Sequence, residues 1–258
     1  MILDSFYCIN RNYFITHLLH SSVRWGIMIH IQSLSKNYGT FPALQEVSCT
    51  FNDQTVTALM GANGAGKSTL LKICAGVLQF NKGSIVIDGH SLQKDPQLVR
   101  SSIGYLPEMP YLYERLTGRE FLLYIASLRK IQNVKDEIHS FAKHFGIDHA
   151  LNQEINGYSK GMKQKISMIA ALFHHPHNLL LDEPVWGLDP LTAKSLERFI
   201  LDQQGTTLIA THSGSLVERV ADFVYFLSKG RIVADQTLDD CINTYGSVED
   251  AYFSLTGL

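Results

Sequence analysis

One segment of the chain has the spacing of a phosphate-binding loop. It runs from Gly61 to Thr69 and reads GANGAGKST, which matches a glycine, four residues of any type and then Gly-Lys-Ser. Glycines let consecutive backbone N–H groups turn towards an anion, and the start of the following helix adds partial positive charge. We therefore expect the loop to bind a nucleoside triphosphate. The residues expected around the nucleotide are Gly61, Asn63, Gly64, Ala65, Gly66, Lys67, Ser68 and Thr69.

Two side chains of this loop have the chemistry for phosphate transfer. Lys67 is expected to reach the β- and γ-phosphates, where it would act in catalysis, and the Ser68 hydroxyl is expected to ligate Mg²⁺. ATP and Mg²⁺ are the expected cofactors.

Two consecutive carboxylates end an apolar segment. Residues 179–181 are all leucine and are typical of a buried strand, and Asp182 and Glu183 follow them. Because neighbouring strand residues face opposite ways, the two acids should differ in role. Asp182 would bind Mg²⁺, directly or through water, and Glu183 would polarise the attacking water as the catalytic base. An acid pair that only stabilises a helix start before Pro184 is the alternative.

Histidines occur at two places that invite a functional interpretation. His212 follows the predicted strand at 206–210, where it would donate to the γ-phosphate, although a structural histidine is the alternative. His174, His175 and His177 lie close together, but Pro176 interrupts them and they share no helical face. We expect no metal site there.

A second anion site is predicted at the start of another helix. Ser159 and Gly161 stand at the beginning of a helix that extends to about residue 173. One nucleotide has one γ-phosphate, which the Lys67 loop already holds. The simplest solution is two chains arranged head to tail, each offering its Ser159 helix to the nucleotide of the other.

The elements around these motifs alternate between strands and helices, which indicates a parallel sheet covered on both faces. The strand pattern lapses over about 105–175, and we interpret this stretch as a helical insertion. Thr117 and Glu120 have the spacing of a capping box at the start of one of its helices. Residues 1–27 show no sustained periodicity, so we expect them to be an extension, with the functional chain starting at Met28.

Composition excludes several classes of protein. The chain has 258 residues, of which 45% are hydrophobic, and a net charge of −2 without a basic cluster. This excludes a disordered chain and argues against a nucleic-acid partner. No apolar run reaches the roughly 18 residues of a membrane span, and the start lacks a secretion signal. The scattered cysteines are predicted to be buried thiols in a reducing compartment; they are Cys8, Cys49, Cys74 and Cys241.

Taken in order, these motifs resemble those of the nucleotide-binding subunits of ABC transporters over residues 28–258. Residues 61–69 are similar to the phosphate loop of that family, 159–162 to its signature motif, and 182–183 to its magnesium-binding and catalytic acids. The resemblance implies a P-loop core with a mainly parallel sheet, an N-terminal antiparallel β subdomain and an inserted α-helical subdomain. Further positions acquire roles from the resemblance alone: Tyr38 as the adenine-stacking aromatic, Asp189 in the dimer-contacting loop 187–189 at the nucleotide, and His212 as the switch histidine.

The chain departs from the family pattern at three places. Lys160 and Met162 replace the usual Gly and Gln of the signature motif, while Ser159 and Gly161 are kept. Glu108 stands where a Gln is common; a carboxylate can approach the nucleotide and Mg²⁺ but cannot donate as an amide does. The pair at 185–186, Val-Trp, replaces small polar residues. Trp186 lies at the expected dimer seam or serves only for packing.

The function implied by the resemblance is an ATPase subunit that drives a membrane exporter. Its expected partners are a second ATPase copy, giving a homodimer, and an integral membrane permease whose short cytoplasmic helix docks near residues 105–130. No nucleic acid is expected as a partner. The expected location is cytoplasmic, on the inner face of the cell membrane. A soluble ABC-type ATPase acting on ribosomes or nucleic acid is the alternative, and a small-molecule kinase would leave Ser159 and His212 without a role.

Overall fold

The first strands of the chain form an antiparallel sheet. The computed structural model describes residues 27–257, so the expectations for residues 1–26 and for Cys8 lie outside the described residues. The strand order is β2-β1-β4-β5. The strands are β1 (Ile27–Tyr38), β2 (Phe41–Asn52), β4 (Lys82–Ile87) and β5 (His90–Ser91).

A second sheet of six strands forms the centre of the fold, in the order β10-β9-β3-β8-β7-β6. All neighbours in it are parallel except β9 and β10. Every residue of β3, β7 and β8 is buried, as expected of parallel strands covered on both faces. The strands are β3 (Val56–Met60), β6 (Ile103–Leu106), β7 (Asn178–Asp182), β8 (Thr206–Thr211), β9 (Phe223–Ser228) and β10 (Arg231–Thr237).

Helix α1 (Lys67–Cys74) joins the two sheets. Its Leu70 and Leu71 share one buried cluster with Ile29 and Phe51 of the antiparallel sheet and with Leu180 of β7. The helix that follows the phosphate-binding loop is therefore fixed from both sides. The other helices of the core are α2 (Pro96–Ser101), α6 (Pro190–Asp202), α7 (Gly214–Val220), α8 (Leu238–Tyr245) and α9 (Val248–Thr256).

Three helices between β6 and β7 form the inserted subdomain: α3 (Gly118–Leu128), α4 (Lys135–His144) and α5 (Lys160–Leu172). They meet in a buried cluster that includes Phe121, Phe141 and Ile169. The predicted capping box is confirmed, since the Glu120 N–H donates to Thr117 Oγ1 and the Thr117 N–H donates to Glu120 Oε2. The predicted fold class, with both subdomains, is confirmed. Among the helices of residues 27–257, none combines the length and apolar character of a membrane span.

Candidate functional site

The phosphate-binding loop connects β3 to α1 in the middle of the parallel sheet. Gly66, which precedes the helix, has φ 112°, and a Cβ there would lie 2.7 Å from the Ala43 carbonyl oxygen, so only glycine fits. The buried Lys67 ammonium donates to the carbonyl oxygens of Gly61, at 2.7 Å, and Ala62, at 3.2 Å. The lysine therefore lies inside the curve of the loop, where phosphate oxygens would have to sit.

Lys67 also faces a carboxylate across the loop. Its Nζ lies 3.8 Å from Glu183 Oε1. Burial lowers the pKa of Lys67, and the negative charges of Glu183 and Asp182 oppose that shift. The ammonium is thus a partly desolvated cation, which interacts strongly with an added anion.

Asp182 and Ser68 form an oxygen-lined corner next to the loop. The Ser68 hydroxyl donates to Asp182 Oδ1 at 3.0 Å, while the buried Oδ2 has no hydrogen-bond partner among the described residues. Burial raises the pKa of Asp182 to about 6, and the negative charges of Glu108 and Glu183 add to the effect. A buried carboxylate oxygen without a donor, beside a hydroxyl, fits a hard cation such as Mg²⁺.

Glu183 is fixed by the end of the neighbouring strand. It has φ 46°, a left-handed conformation that strains a residue with a Cβ, and its N–H donates to the Ala210 carbonyl oxygen. The Thr211 hydroxyl donates to Oε2 at 2.9 Å, and the His212 N–H donates to Oε1 at 3.0 Å. The His212 ring approaches from the same side, with Nδ1 2.7 Å from Oε1. Glu183 and His212, singled out separately in the sequence, are therefore direct partners.

Thr211 is a site residue that the sequence analysis missed. Its hydroxyl is fully buried and holds the carboxylate of Glu183. The available signal was its position at the end of β8, immediately before His212. Of the residues at the end of that strand, the sequence analysis singled out only His212.

Two other predicted residues lie at the edge of this cluster. Glu108 is exposed in the loop after β6, and its charge acts on both Asp182 and Lys67. Tyr38, at the end of β1, is 49% exposed, and the Lys36 ammonium lies 5.1 Å from the centre of its ring. Tyr38 thus presents an exposed aromatic ring of the kind that stacks on a base.

Ser159, Gly161 and Asp189 lie at the starts of two helices. The Ser159 hydroxyl accepts from the Met162 N–H at 3.2 Å and so caps α5, and Asp189 caps α6 through the Thr192 N–H. Within residues 27–257, no hydrogen bond joins Ser159 to the phosphate-binding loop. The structure does not bring Ser159 into the cluster around Lys67 of the same chain.

The three clustered histidines point to three different elements. His174 Nε2 lies 3.3 Å from the Ile103 carbonyl oxygen, and burial lowers the pKa of this imidazole to about 4. His175 pairs with Glu137 of α4, and His177 pairs with Asp53 after β2. Their separate partners explain their presence without a shared ligand.

Comparison with known proteins gives a consistent result. A family model described as "ABC transporter" matches residues 44–186. The ATP-binding protein EcsA of Bacillus subtilis is 33% identical over 238 residues, which cover 89% of this chain and 96% of EcsA. The bacitracin transport ATP-binding protein BcrA of Bacillus licheniformis is 30% identical, covering 82% of this chain and 70% of BcrA.

A solved structure agrees with these relatives. It is described as the ATP-binding subunit of an ABC transporter and superimposes with a TM-score of 0.83 at 32% identity. The match covers 89% of this chain and 99% of that one. The similarity therefore includes the antiparallel sheet and the inserted helices as well as the P-loop core.

Proposed function

This chain belongs to the ABC transporter family, and we propose on that basis that it hydrolyses ATP to drive a membrane exporter, as one of two identical ATPase copies. The observation that carries the proposal is the set of contacts at one sheet edge. There Glu183 lies within 3.8 Å of both Lys67 and His212. In the adjacent positions Ser68 donates to Asp182 at 3.0 Å. In this proposal they supply the cation, the magnesium ligands and the base that phosphate transfer to water needs.

In this proposal Glu183 is the catalytic base. It accepts a proton as a water oxygen attacks the γ-phosphorus, the bond from that phosphorus to the bridging oxygen breaks, and ADP and phosphate leave. Lys67 neutralises charge on the transferring group, and His212 orients Glu183 and donates to a γ-phosphate oxygen. Ser68 and Asp182 would hold Mg²⁺, which supplies charge neutralisation between the phosphates when it is bound.

The nucleotide site is completed by a second copy in this proposal. Ser159 is exposed at the start of α5, and among residues 27–257 no hydrogen bond joins it to the phosphate-binding loop of its own chain. A helix start with an exposed hydroxyl is suited to bind phosphate oxygens. Two chains related by a twofold axis would each offer this helix, together with the loop around Asp189, to the nucleotide of the other.

The surface around α3 is suited to a membrane partner. Large side chains are exposed there, including Tyr111 at 73% and Leu128 at 62%. A nearby cavity of about 340 Å³ is lined by Tyr105, Tyr111 and Phe121, and its charged residues are Lys72 and Arg129. Apolar walls with two cations fit a short amphipathic helix that carries an acidic residue, and we assign this helix to the permease. That contact would hold the chain at the inner face of the cell membrane.

Transport fits the comparisons better than the alternative of an ATPase acting on ribosomes or nucleic acid. BcrA is named for bacitracin transport, and the net charge of −2 gives little attraction to a phosphate backbone. The assignment to export rests on the resemblance of the sequence motifs to the family.

The proposal is tested with two variants of the full chain and their mixture. E183Q is expected to bind ATP with unchanged affinity and to lose turnover by two orders of magnitude or more, about the loss typical of removing such a group. S159A is expected to be similarly inactive. In an equimolar mixture each mixed dimer has one site with Glu183 from one copy and Ser159 from the other.

Random pairing gives one intact site in half of the dimers, so the rate should rise above that of either variant alone, up to about a quarter of the wild-type rate. A mixture that stays inactive while both variants still bind ATP and dimerise would contradict the shared site. Full activity of E183Q alone would contradict the role of the base.

A further inference from the structure

Two residues that depart from the family pattern contact one another. Lys160 and Trp186 lie in separate motifs, yet the Lys160 ammonium is 3.1 Å from the centre of the Trp186 ring system. This is the geometry of a cation–π interaction, for which tryptophan is the best aromatic partner. One contact thus joins two positions at which the chain departs from the family pattern.

The contact joins two segments that carry groups for different nucleotides. Lys160 is the first residue of α5 and follows Ser159, whereas Trp186 lies between Glu183 and Asp189. The α5 start and this loop also approach each other through backbone, because a Cβ on Gly161 would lie 3.4 Å from the Gly187 carbonyl oxygen. A second contact between these two segments lies about one turn further along α5.

This second contact is an ion pair. Lys165 Nζ lies 3.1 Å from Asp189 Oδ2. Hydrogen bonds from Thr192, together with this contact, hold the pKa of Asp189 well below its usual range. The loop that leaves Glu183 is therefore attached to α5 at two points. Both Lys160 and Trp186 are exposed, Trp186 by 41%, so their contact buries little surface and is poorly placed to stabilise the fold.

We propose that Lys160 and Trp186 are a positioning pair that fixes the Ser159 end of α5 against the loop following Glu183. Through this pair, a shift at Glu183 of one site moves the serine that the same chain offers to the other nucleotide. The pair thus couples the two sites of the dimer. This inference rests on the proposed function, because it requires Ser159 to act on the nucleotide of the second copy.

The pair is tested by measuring the steady-state rate at which the full chain hydrolyses ATP, as a function of the ATP concentration. K160M keeps most of the lysine stem without the charge, W186L removes the ring, and the double variant removes both. K163M is the matched control, because Lys163 lies on the same helix but pairs with Glu114, at 2.6 Å, away from the loop. K160R keeps a cation over the ring and is expected to behave as the wild type.

K160M and W186L are each expected to lower kcat about two- to fivefold, the loss typical of one exposed cation–π contact. The Hill coefficient for ATP should fall towards one. The affinity of the monomeric chain for ATP and its melting temperature should stay within error of those of K163M. The double variant should be no slower than the slower single variant, because the same contact is lost in all three.

Three results would contradict the proposed role of the pair. They are a wild-type kcat and Hill coefficient in K160M, a double variant whose losses multiply, and a fall in melting temperature that accounts for the lost rate. The mixture of E183Q and S159A distinguishes a failure of this inference from a failure of the proposed function. If the ATPase activity of that mixture is restored and the kcat and Hill coefficient of K160M still equal those of K163M, only the proposed pair is wrong. If the activity of the mixture is not restored, the shared site itself is wrong.

Discussion

Replacing Asp182 by Asn should change how the stability of the chain depends on pH. Asp182 is completely buried, and burial raises its pKa from 3.8 to about 6. The raised pKa means that the folded state prefers the protonated carboxyl. The contribution of Asp182 to stability is therefore fully present below about pH 4 and is lost as the pH rises through about 6.

The size of the effect follows from the shift. A shift of about two pKa units corresponds to about 3 kcal/mol of unfolding free energy, of which about half is lost between pH 5 and pH 8. D182N keeps the acceptor for the Ser68 hydroxyl but does not titrate. The cost of burying its unpaired amide is constant with pH, so the difference between D182N and wild type isolates the titration of the carboxyl.

The assay is urea unfolding of both proteins without nucleotide or magnesium at pH 5 and pH 8. The stability of D182N relative to wild type should rise by about 1.4 kcal/mol between these values, or about 3 to 5 °C in melting temperature. D189N is the matched control, because hydrogen bonds from Thr192 and Lys165 lower the pKa of Asp189, so that this carboxylate is ionised in the folded and the unfolded state from pH 5 to pH 8 and the D189N difference should not vary over that range. D189N should be less stable than wild type at neutral pH. A D182N difference that does not vary between pH 5 and pH 8 would refute the argument.

Three further predictions concern the bound nucleotide and the base. Magnesium should add to the ATP-induced rise in melting temperature of the wild type but not of D182N, and an equal magnesium effect in both would exclude Asp182 as a ligand. Thr211→Val should lower kcat about tenfold with KM unchanged, because the buried hydroxyl bond to Glu183 is lost; T211S should restore the rate, and a T211S as slow as T211V would point to packing instead. Tyr38→Ala should raise KM about tenfold for ATP and for GTP alike, since stacking on an exposed ring does not depend on base identity. A tyrosine variant with unchanged KM would place the base elsewhere, and K36M is its control for the nearby charge.

Much of the site was predictable because its parts are local in sequence. The loop at 61–69 lies within one strand–helix connection, so the spacing of its residues alone predicts that it binds phosphate. The acids at 182–183 are recognisable because an all-apolar strand ends at them. The capping box of α3 was equally visible, since both of its members lie within one turn.

The contacts that were missed join residues far apart in the chain. Lys160 and Trp186 were both noted as unusual, but nothing in their spacing shows that the start of α5 lies against the loop before α6. Lys165 and Asp189 are the same case, and the sequence gives Lys165 no distinguishing pattern. Such pairs depend on how the inserted helices sit against the core, which is set by packing over the whole cluster rather than by local preference.

Strand register explains why the base and its partners meet. In the parallel pair β7–β8, Asp182 lies opposite Ala210, so the next residues, Glu183 and Thr211, emerge side by side at the same edge. In the pair β3–β8, Met60 lies opposite Thr211, which places the phosphate-binding loop at that edge as well. A shift of one residue in the β7–β8 pair would turn the side chains to the other face and separate Glu183 from the Thr211 hydroxyl. The buried apolar residues of β7 and β8 fix this register, and the chemistry at their ends follows from it.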